Sequence, residues 1–225
     1  MNPLLKLTVG VAAIFAFMAL VVFLPAGTLD WPEGWLYVLT QSVFSSALAV
    51  WLWRKDPALL EERASMKKGA KGWDKALLSA MLISIILLFA VAGFDAVRFN
   101  WSSVPLWLKA LGYAGVLFGL TVMFLVLREN TYSSKVVRIQ KERGHKVVTT
   151  GPYAVVRHPM YVGMLPLFPG LCLLLGSYYA LPFGLLFDLI LIVRTSFEDK
   201  LLHRELPGYK EYAQKTRYKM LPGLW

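Results

Sequence analysis

Two short stretches of the chain concentrate the side chains that could recognise a charged ligand. The first is Arg157-His158-Pro159-Met160-Tyr161-Val162-Gly163, which opens an apolar run. The second is Arg194-Thr195-Ser196-Phe197-Glu198-Asp199, which closes the next one. Arg194 and Glu198 are four positions apart, so on a helix they share one face. The runs Met160 to Gly176 and Ala180 to Val193 are separated only by Ser177-Tyr178-Tyr179. That spacing predicts a tight helical hairpin, with the start of its first arm level with the end of its second. His158, Tyr161, Arg194 and Glu198 should therefore converge. A guanidinium grips a carboxylate or phosphate in a fork. A carboxylate can hold an ammonium or a ribose, and Tyr and His rings can line an adenine or a sulfonium. This set suits transfer from an already activated donor, where positioning supplies most of the rate. The plainer reading is an interfacial Arg-His anchor plus a surface ion pair of about 0.2–0.5 kcal/mol. No Ser or Cys stands beside an obvious base, no paired carboxylates frame a water, and HExxH, GxGxxG and P-loop patterns are missing from the sequence.

The elements that must position these residues follow from hydropathy. Of 225 residues 57% are hydrophobic, which excludes an ordinary soluble domain. Apolar runs fall at Leu7–Leu24, Trp35–Trp53, Ala76–Phe94, Leu106–Leu127, Met160–Gly176 and Ala180–Val193. The fold class expected is all-α: a polytopic helical membrane protein of about six transmembrane helices. The whole chain reads as one membrane domain, with residues 1–127 a four-helix scaffold and 128–225 the functional part. The first run exceeds the usual signal-peptide core of about 7–15 residues, so it reads as a retained helix. Pro57 to Arg63 reads as a short helix lying on the surface. Val136-Val137-Arg138-Ile139 has strand character without an evident partner strand. Pro166 and Pro169 should kink the fifth span and free backbone groups. Lys109 is expected to snorkel, and Arg194 to Leu206 should continue the sixth helix.

Charge sets the orientation. The formal net charge is +10, yet 21 of the 24 Lys and Arg residues lie in two long connections and the C-terminal segment, beside Trp and Tyr. This is a topology signal rather than a nucleic-acid footprint. With six spans it places both termini, both long connections and the polar constellation on the cytoplasmic side. One cysteine, Cys172, excludes an internal disulfide or a thiolate metal cluster, and no metal site is expected. Asp188, inside an apolar run, is either costly and functional or bonded within the bundle. His203 reads as a residue of a solvated helix face.

The run His145-Lys146-Val147-Val148-Thr149-Thr150-Gly151-Pro152-Tyr153, the Arg157–Gly163 stretch, Arg194 with Glu198-Asp199, and the late Tyr209, Tyr212, Arg217 and Pro222 together resemble the isoprenylcysteine carboxyl methyltransferases. Their wider superfamily includes the phospholipid N-methyltransferases. The likeness covers roughly residues 135–225. It implies an integral membrane enzyme of bacterial inner-membrane type that uses S-adenosyl-L-methionine and releases S-adenosyl-L-homocysteine. By position, Gln140, His145, Lys146, Val147, Val148, Tyr153, His158, Pro159, Met160, Tyr161 and Glu198 would contact the cofactor. Arg194 would meet the reacting carboxylate of the substrate, which makes Arg194, Glu198 and His158 the catalytic set. The family often has two glutamates where this chain has Glu198-Asp199, so Asp199 receives no role.

The resemblance implies a soluble cofactor arriving from the cytoplasm and a lipidic acceptor arriving sideways between helices. The acceptor group is a carboxylate, an amine or a thiol. A carboxylate needs no general base, its ordinary pKa lying near 4. For an amine or thiol His158 is the candidate base. Two rivals remain. Membrane sterol reductases, which use NADPH, share a His-Pro-x-Tyr-x-Gly stretch and a late His-Arg pair, here His203-Arg204. A non-enzymatic transporter or assembly factor would instead line a bilayer path with polar residues, of which the spans show only Asp188.

Overall fold

The computed structural model describes residues 3–64 and 71–225, with side chains from residue 8 onward in the first stretch. Lys6 and residues 65–70, which carry part of the basic charge used above, lie outside the described side chains. Among the described residues the chain is all-α, without a strand. Helices α1 (Pro3–Ala26), α2 (Pro32–Lys55), α3 (Pro57–Ala64), α4 (Gly72–Gly93), α5 (Leu106–Glu129), α6 (Pro159–Leu174), α7 (Leu181–Glu205) and α8 (Tyr209–Lys215) follow in order.

Local chemistry fixes the boundaries. Helix α1 ends where Gly27 takes φ 73°, a left-handed conformation suited to glycine. Pro32 starts α2 at a position that needs no backbone donor. Asp56 Oδ1 accepts the Leu59 N–H at 2.9 Å and caps α3. Leu59 and Glu62 of α3 are buried, so this helix turns one face inward instead of only lying on the surface. Helix α4 runs past its expected end as a π-turn over Phe94–Phe99. That turn buries Asp95, whose carboxylate accepts from Ser102, Ser177 and the Tyr179 N–H, tying this end of α4 to the α6–α7 turn. Lys109 does not simply snorkel: its Nζ pairs with Glu33 at 2.6 Å.

Among the described residues four helices are long and apolar enough to cross a membrane: α1, α2, α4 with its π-turn, and α5. These mark an integral membrane protein. The other two expected spans form the hairpin. Helix α6 has 16 residues, about 24 Å at 1.5 Å per residue. Helix α7 is one helix through Arg194 to Glu205, as its sequence predicts, so its apolar half is short.

The hairpin is held by backbone-close packing on α5. A Cβ at Gly112 would stand 2.3 Å from the Gly170 carbonyl oxygen, and one at Gly119 would stand 2.6 Å from that of Gly163. Only glycine permits this approach. Helix α4 packs on α7, with Ser84 Oγ donating to the Phe183 carbonyl at 2.6 Å. Val22, Val38, Leu88, Val116, Leu171 and Cys172 fill the core between these helices. Residues 130–158 cross over the same end of the bundle as coil with two short 3-10 turns.

Candidate functional site

The hairpin geometry brings the first arm's start against the second arm's far half. Tyr161, one turn into α6, donates its hydroxyl to Glu198 Oε2 of α7. Arg194 Nη1 donates to the same Tyr161 oxygen at 2.7 Å. Arg194 and Glu198 are thus linked through a phenol from another helix. A third partner was not visible in the sequence. Asp74, two residues into α4 and fully buried, accepts Arg194 Nε at 2.8 Å through Oδ1. Its Oδ2 accepts the Val137 N–H at 2.7 Å. The strand-like Val136–Ile139 segment therefore forms no strand, because one of its donors is taken by α4. Arg194 Nη2 donates to the Lys135 carbonyl at 3.0 Å. Three hydrogen bonds lock the guanidinium in place, and two of its five N–H groups remain for a ligand.

A second hub lies beside the first. Asp199 accepts Arg157 Nε at 2.9 Å, Arg157 Nη2 at 3.2 Å and the Tyr209 hydroxyl at 2.9 Å. His158 Nε2 stands 3.3 Å from the same carboxylate. Burial alone would raise the Asp199 carboxyl, but hydrogen bonds from His158, Arg157 and Tyr209 outweigh it and hold its pKa below the usual carboxylate range. Arg157 Nη1 also reaches the carbonyls of Thr216 and Arg217, and the Arg157 and His158 N–H groups donate to those of Tyr218 and Lys219. The tail is thereby clasped to the start of α6. His203, expected on a solvated face, is half-buried and directs Nδ1 to the Asp199 carbonyl at 2.9 Å.

Both hubs open on one cavity of about 430 Å³. Its polar side carries Asn130, Tyr132, His145, Tyr153, His158, Glu198, Tyr209 and Tyr212. Its apolar side carries Leu78, Met81, Leu82 and Ile85 of α4 with Met164, Phe168 and Phe187 of the hairpin. Tyr161 and Arg194 also line it, as do Lys146, Val147, Val148, Pro159 and Met160. Leu82 is 58% exposed, so the apolar side reaches the outer face of α4. Asn130 Nδ2 donates to the Tyr153 hydroxyl at 2.7 Å, and Tyr212 donates to the Tyr153 carbonyl at 2.7 Å. Burial pushes the Tyr212 hydroxyl up to about 12, so it stays protonated as a donor.

The sequence-derived residues therefore meet, with one placed apart. Gln140 is fully buried and is absent from the cavity wall. Its amide donates to the Tyr132 carbonyl at 2.7 Å and accepts from Arg143 at 2.6 Å. Its backbone N–H donates to His145 Nδ1 at 3.3 Å. His145 stacks on Tyr132 with centroids 4.5 Å apart. Its pKa is lowered to about 4, first by burial and then by Arg143 and Arg138, so the ring is neutral at pH 7. Asp188 lies in α7 away from the cavity wall, and its Oδ1 has no hydrogen-bond partner among the described residues. Asp74 and Arg157 escaped sequence reasoning. An acid at a helix start reads as a dipole partner, and an Arg beside His as an anchor.

Comparison with known proteins places this architecture. Residues 107–207 match the phospholipid methyltransferase family. Protein-S-isoprenylcysteine O-methyltransferase B of Arabidopsis thaliana is 26% identical over 141 residues, covering 61% of this chain and 69% of that protein. The nickel-cobalt-cadmium resistance protein NccN of Alcaligenes xylosoxydans xylosoxydans is 29% identical over 141 residues, covering 60% and 59%. The cobalt-zinc-cadmium resistance protein CzcN of Cupriavidus metallidurans is 35% identical over 83 residues, covering 35% and 37%. The chain thus spans about three fifths of the length of NccN and less of CzcN. The stretch that builds the hairpin and most of the cavity, residues 107–207, is thus similar to the phospholipid methyltransferase family, the superfamily that the Arg157–Gly163 and Arg194–Asp199 motifs resemble.

Proposed function

We propose that the protein is an S-adenosyl-L-methionine-dependent methyltransferase acting on a lipidic acceptor, and that its cavity holds both substrates. The observation that carries this reading is the Arg194–Tyr161–Glu198 link at the wall of a cavity lined by both polar and apolar side chains. The volume lies within the range of about 300–1,000 Å³ typical of small-molecule sites. The residues fit the cofactor: Tyr and His rings for the adenine and sulfonium, and Glu198 as an acceptor for its ribose or ammonium. When bound, the cofactor supplies a methyl group that leaves with the C–S bonding pair remaining on sulfur.

The chain's own residues supply the rest. Arg194, fixed by Asp74, Tyr161 and the Lys135 carbonyl, offers its two remaining N–H groups to the acceptor's reacting group and orients it. The α4 wall takes the acceptor's hydrocarbon and excludes water from that side. For an amine or thiol acceptor, an Nε2–H donated to Asp199 leaves the lone pair of His158 on Nδ1, which can take the proton. A carboxylate acceptor needs no such step. Gln140 and Asp199 act as supports of the connection and of His158. The full reading includes six spans, the hairpin crossing with its apolar portion, and both termini and the polar cavity side cytoplasmic, as the charge distribution supports.

Calorimetry with S-adenosyl-L-homocysteine and, separately, NADPH tests it. Binding of the former, weakened at least tenfold in Glu198→Ala and Tyr161→Ala, is expected. Binding of NADPH alone would turn the reading to a reductase. Unchanged S-adenosyl-L-homocysteine affinity in both variants would overturn the site.

A further inference from the structure

The cations around the cavity divide into two groups. Arg138 pairs with Glu62 and Glu142, Arg157 with Asp199, and Arg194 with Asp74. Arg63, at the end of α3, Lys135, in the connection, and the exposed Lys146 line the same cavity and pair with no carboxylate among the described residues. Arg63 and Lys135 are also brought together. Arg63 Nη1 donates to the Ser133 carbonyl at 3.0 Å, which sets its guanidinium beside the loop that carries Lys135. Partial desolvation by the cavity wall and then the charge of Arg63 lower the Lys135 pKa, although its side chain stays open to solvent, while burial lowers that of Arg63. Two like charges on a partly desolvated wall raise the free energy of the fold unless an anion joins them.

Their placement says what that anion belongs to. The Lys135 carbonyl accepts from Arg194 Nη2 at 3.0 Å, so the residue that carries one of these cations also touches the guanidinium assigned to the reacting group. The same cavity is lined by Leu78, Leu82 and Ile85 on α4. A ligand that satisfies both features is amphiphilic, with an acidic head. We propose that Arg63 and Lys135 form an anion subsite that holds the phosphate or carboxylate of an acidic lipid, its hydrocarbon lying on the α4 wall. The subsite deepens the acceptor half of the function proposed above, and it is independent of the cofactor's identity.

The test uses the purified full chain in a non-ionic detergent, with dodecyl phosphate, dodecanoate, dodecanol and inorganic phosphate as probes, read by tryptophan fluorescence. Dodecyl phosphate and dodecanoate should bind at least tenfold more tightly than dodecanol. Arg63→Gln with Lys135→Gln should remove that preference and leave dodecanol binding unchanged, while Arg63→Lys should retain most of it. Lys135→Gln alone, at an exposed side chain, guards against loss of folding and should weaken dodecyl phosphate several-fold. Inorganic phosphate should fail to compete; competition at equal concentration would identify a free-phosphate site and overturn the lipid assignment. Unchanged dodecyl phosphate affinity in the double variant would overturn the subsite. So would lost S-adenosyl-L-homocysteine binding with lipid preference intact, since the cations would then hold the cofactor's carboxylate. Failure of the wild-type chain to bind S-adenosyl-L-homocysteine counts against the methyltransferase reading alone.

Discussion

Asp74 on α4 and Arg194 on α7 form a buried ion pair, 2.8 Å from Oδ1 to Nε, across 120 positions of sequence. Removing one partner of such a pair leaves an uncompensated charge and costs about 3–5 kcal/mol. Asp74→Ala should therefore lower the thermal unfolding midpoint sharply in detergent. Asp74→Asn, which keeps an acceptor for the Val137 N–H, should lower it less. Equal midpoints for wild type and Asp74→Ala would contradict the pairing.

Tyr161→Phe isolates the hydroxyl that joins Arg194 to Glu198. The ring and its packing survive, but Arg194 Nη1 and Glu198 each lose a partner, so the unfolding midpoint should fall by the equivalent of about 1–3 kcal/mol while the chain still folds. S-Adenosyl-L-homocysteine affinity, measured by calorimetry, should fall about tenfold, the equivalent of about 1.4 kcal/mol.

Asp199 predicts an acid limb. Its pKa is held below the ordinary carboxylate value near 4 in the folded chain. Its stabilising contribution is present above that value and is lost as pH falls toward the depressed one. Melting curves should therefore show no change from this group between pH 7 and 5, and a decline below about 4. Asp199→Asn should flatten that decline and loosen the tail, detected as faster proteolysis after Thr216.

The His145 pKa is lowered as well, but here it is the neutral form that the fold favours. Its folded pKa of about 4 lies below the unfolded value near 6.5. The unfolded chain thus binds the extra proton first, and stability from this group falls as pH drops from 6.5 toward 4. In a histidine NMR titration the His145 signal should stay neutral through pH 5. Arg143→Gln should move its midpoint upward, and a wild-type midpoint near 6.5 would refute the burial argument.

Much of the helical layout was legible because a membrane span needs a long uncharged run, and Trp35, Trp53 and the Lys/Arg clusters mark where such runs stop. The meeting of His158, Tyr161, Arg194 and Glu198 was legible because the connection around Ser177 to Tyr179 is short; the helices stop earlier than their apolar runs, leaving residues 175–180 between them, still too few to change the hairpin's register. Asp74 was not, since its partner lies on a distant helix and nothing local distinguishes it from a terminal acid. The close backbone approach between Gly112 and Gly170 was equally silent, because isolated glycines in apolar helices carry no period of their own. Val136–Ile139, whose strand character has no partner strand in the sequence, indeed stays unpaired coil, and the Val137 N–H donates to Asp74 instead.

The same approach supports a substitution test. A Cβ at Gly112 would sit 2.3 Å from the Gly170 oxygen. Gly112→Val should cost at least the 1–3 kcal/mol or so typical of overpacking and reduce the folded yield. Gly10→Val, where nothing lies within 4 Å, should be silent in the same expression assay.

Backbones in direct contact leave no slack between α5 and α6, so these two helices must travel as one body. The cavity's opposite wall, α4, carries no such fastening to α6. Helix α4 is fastened instead to α7, through Asp74 with Arg194 and Ser84 with the Phe183 carbonyl, so any change in the cavity's width has to be shared between α4 and α7.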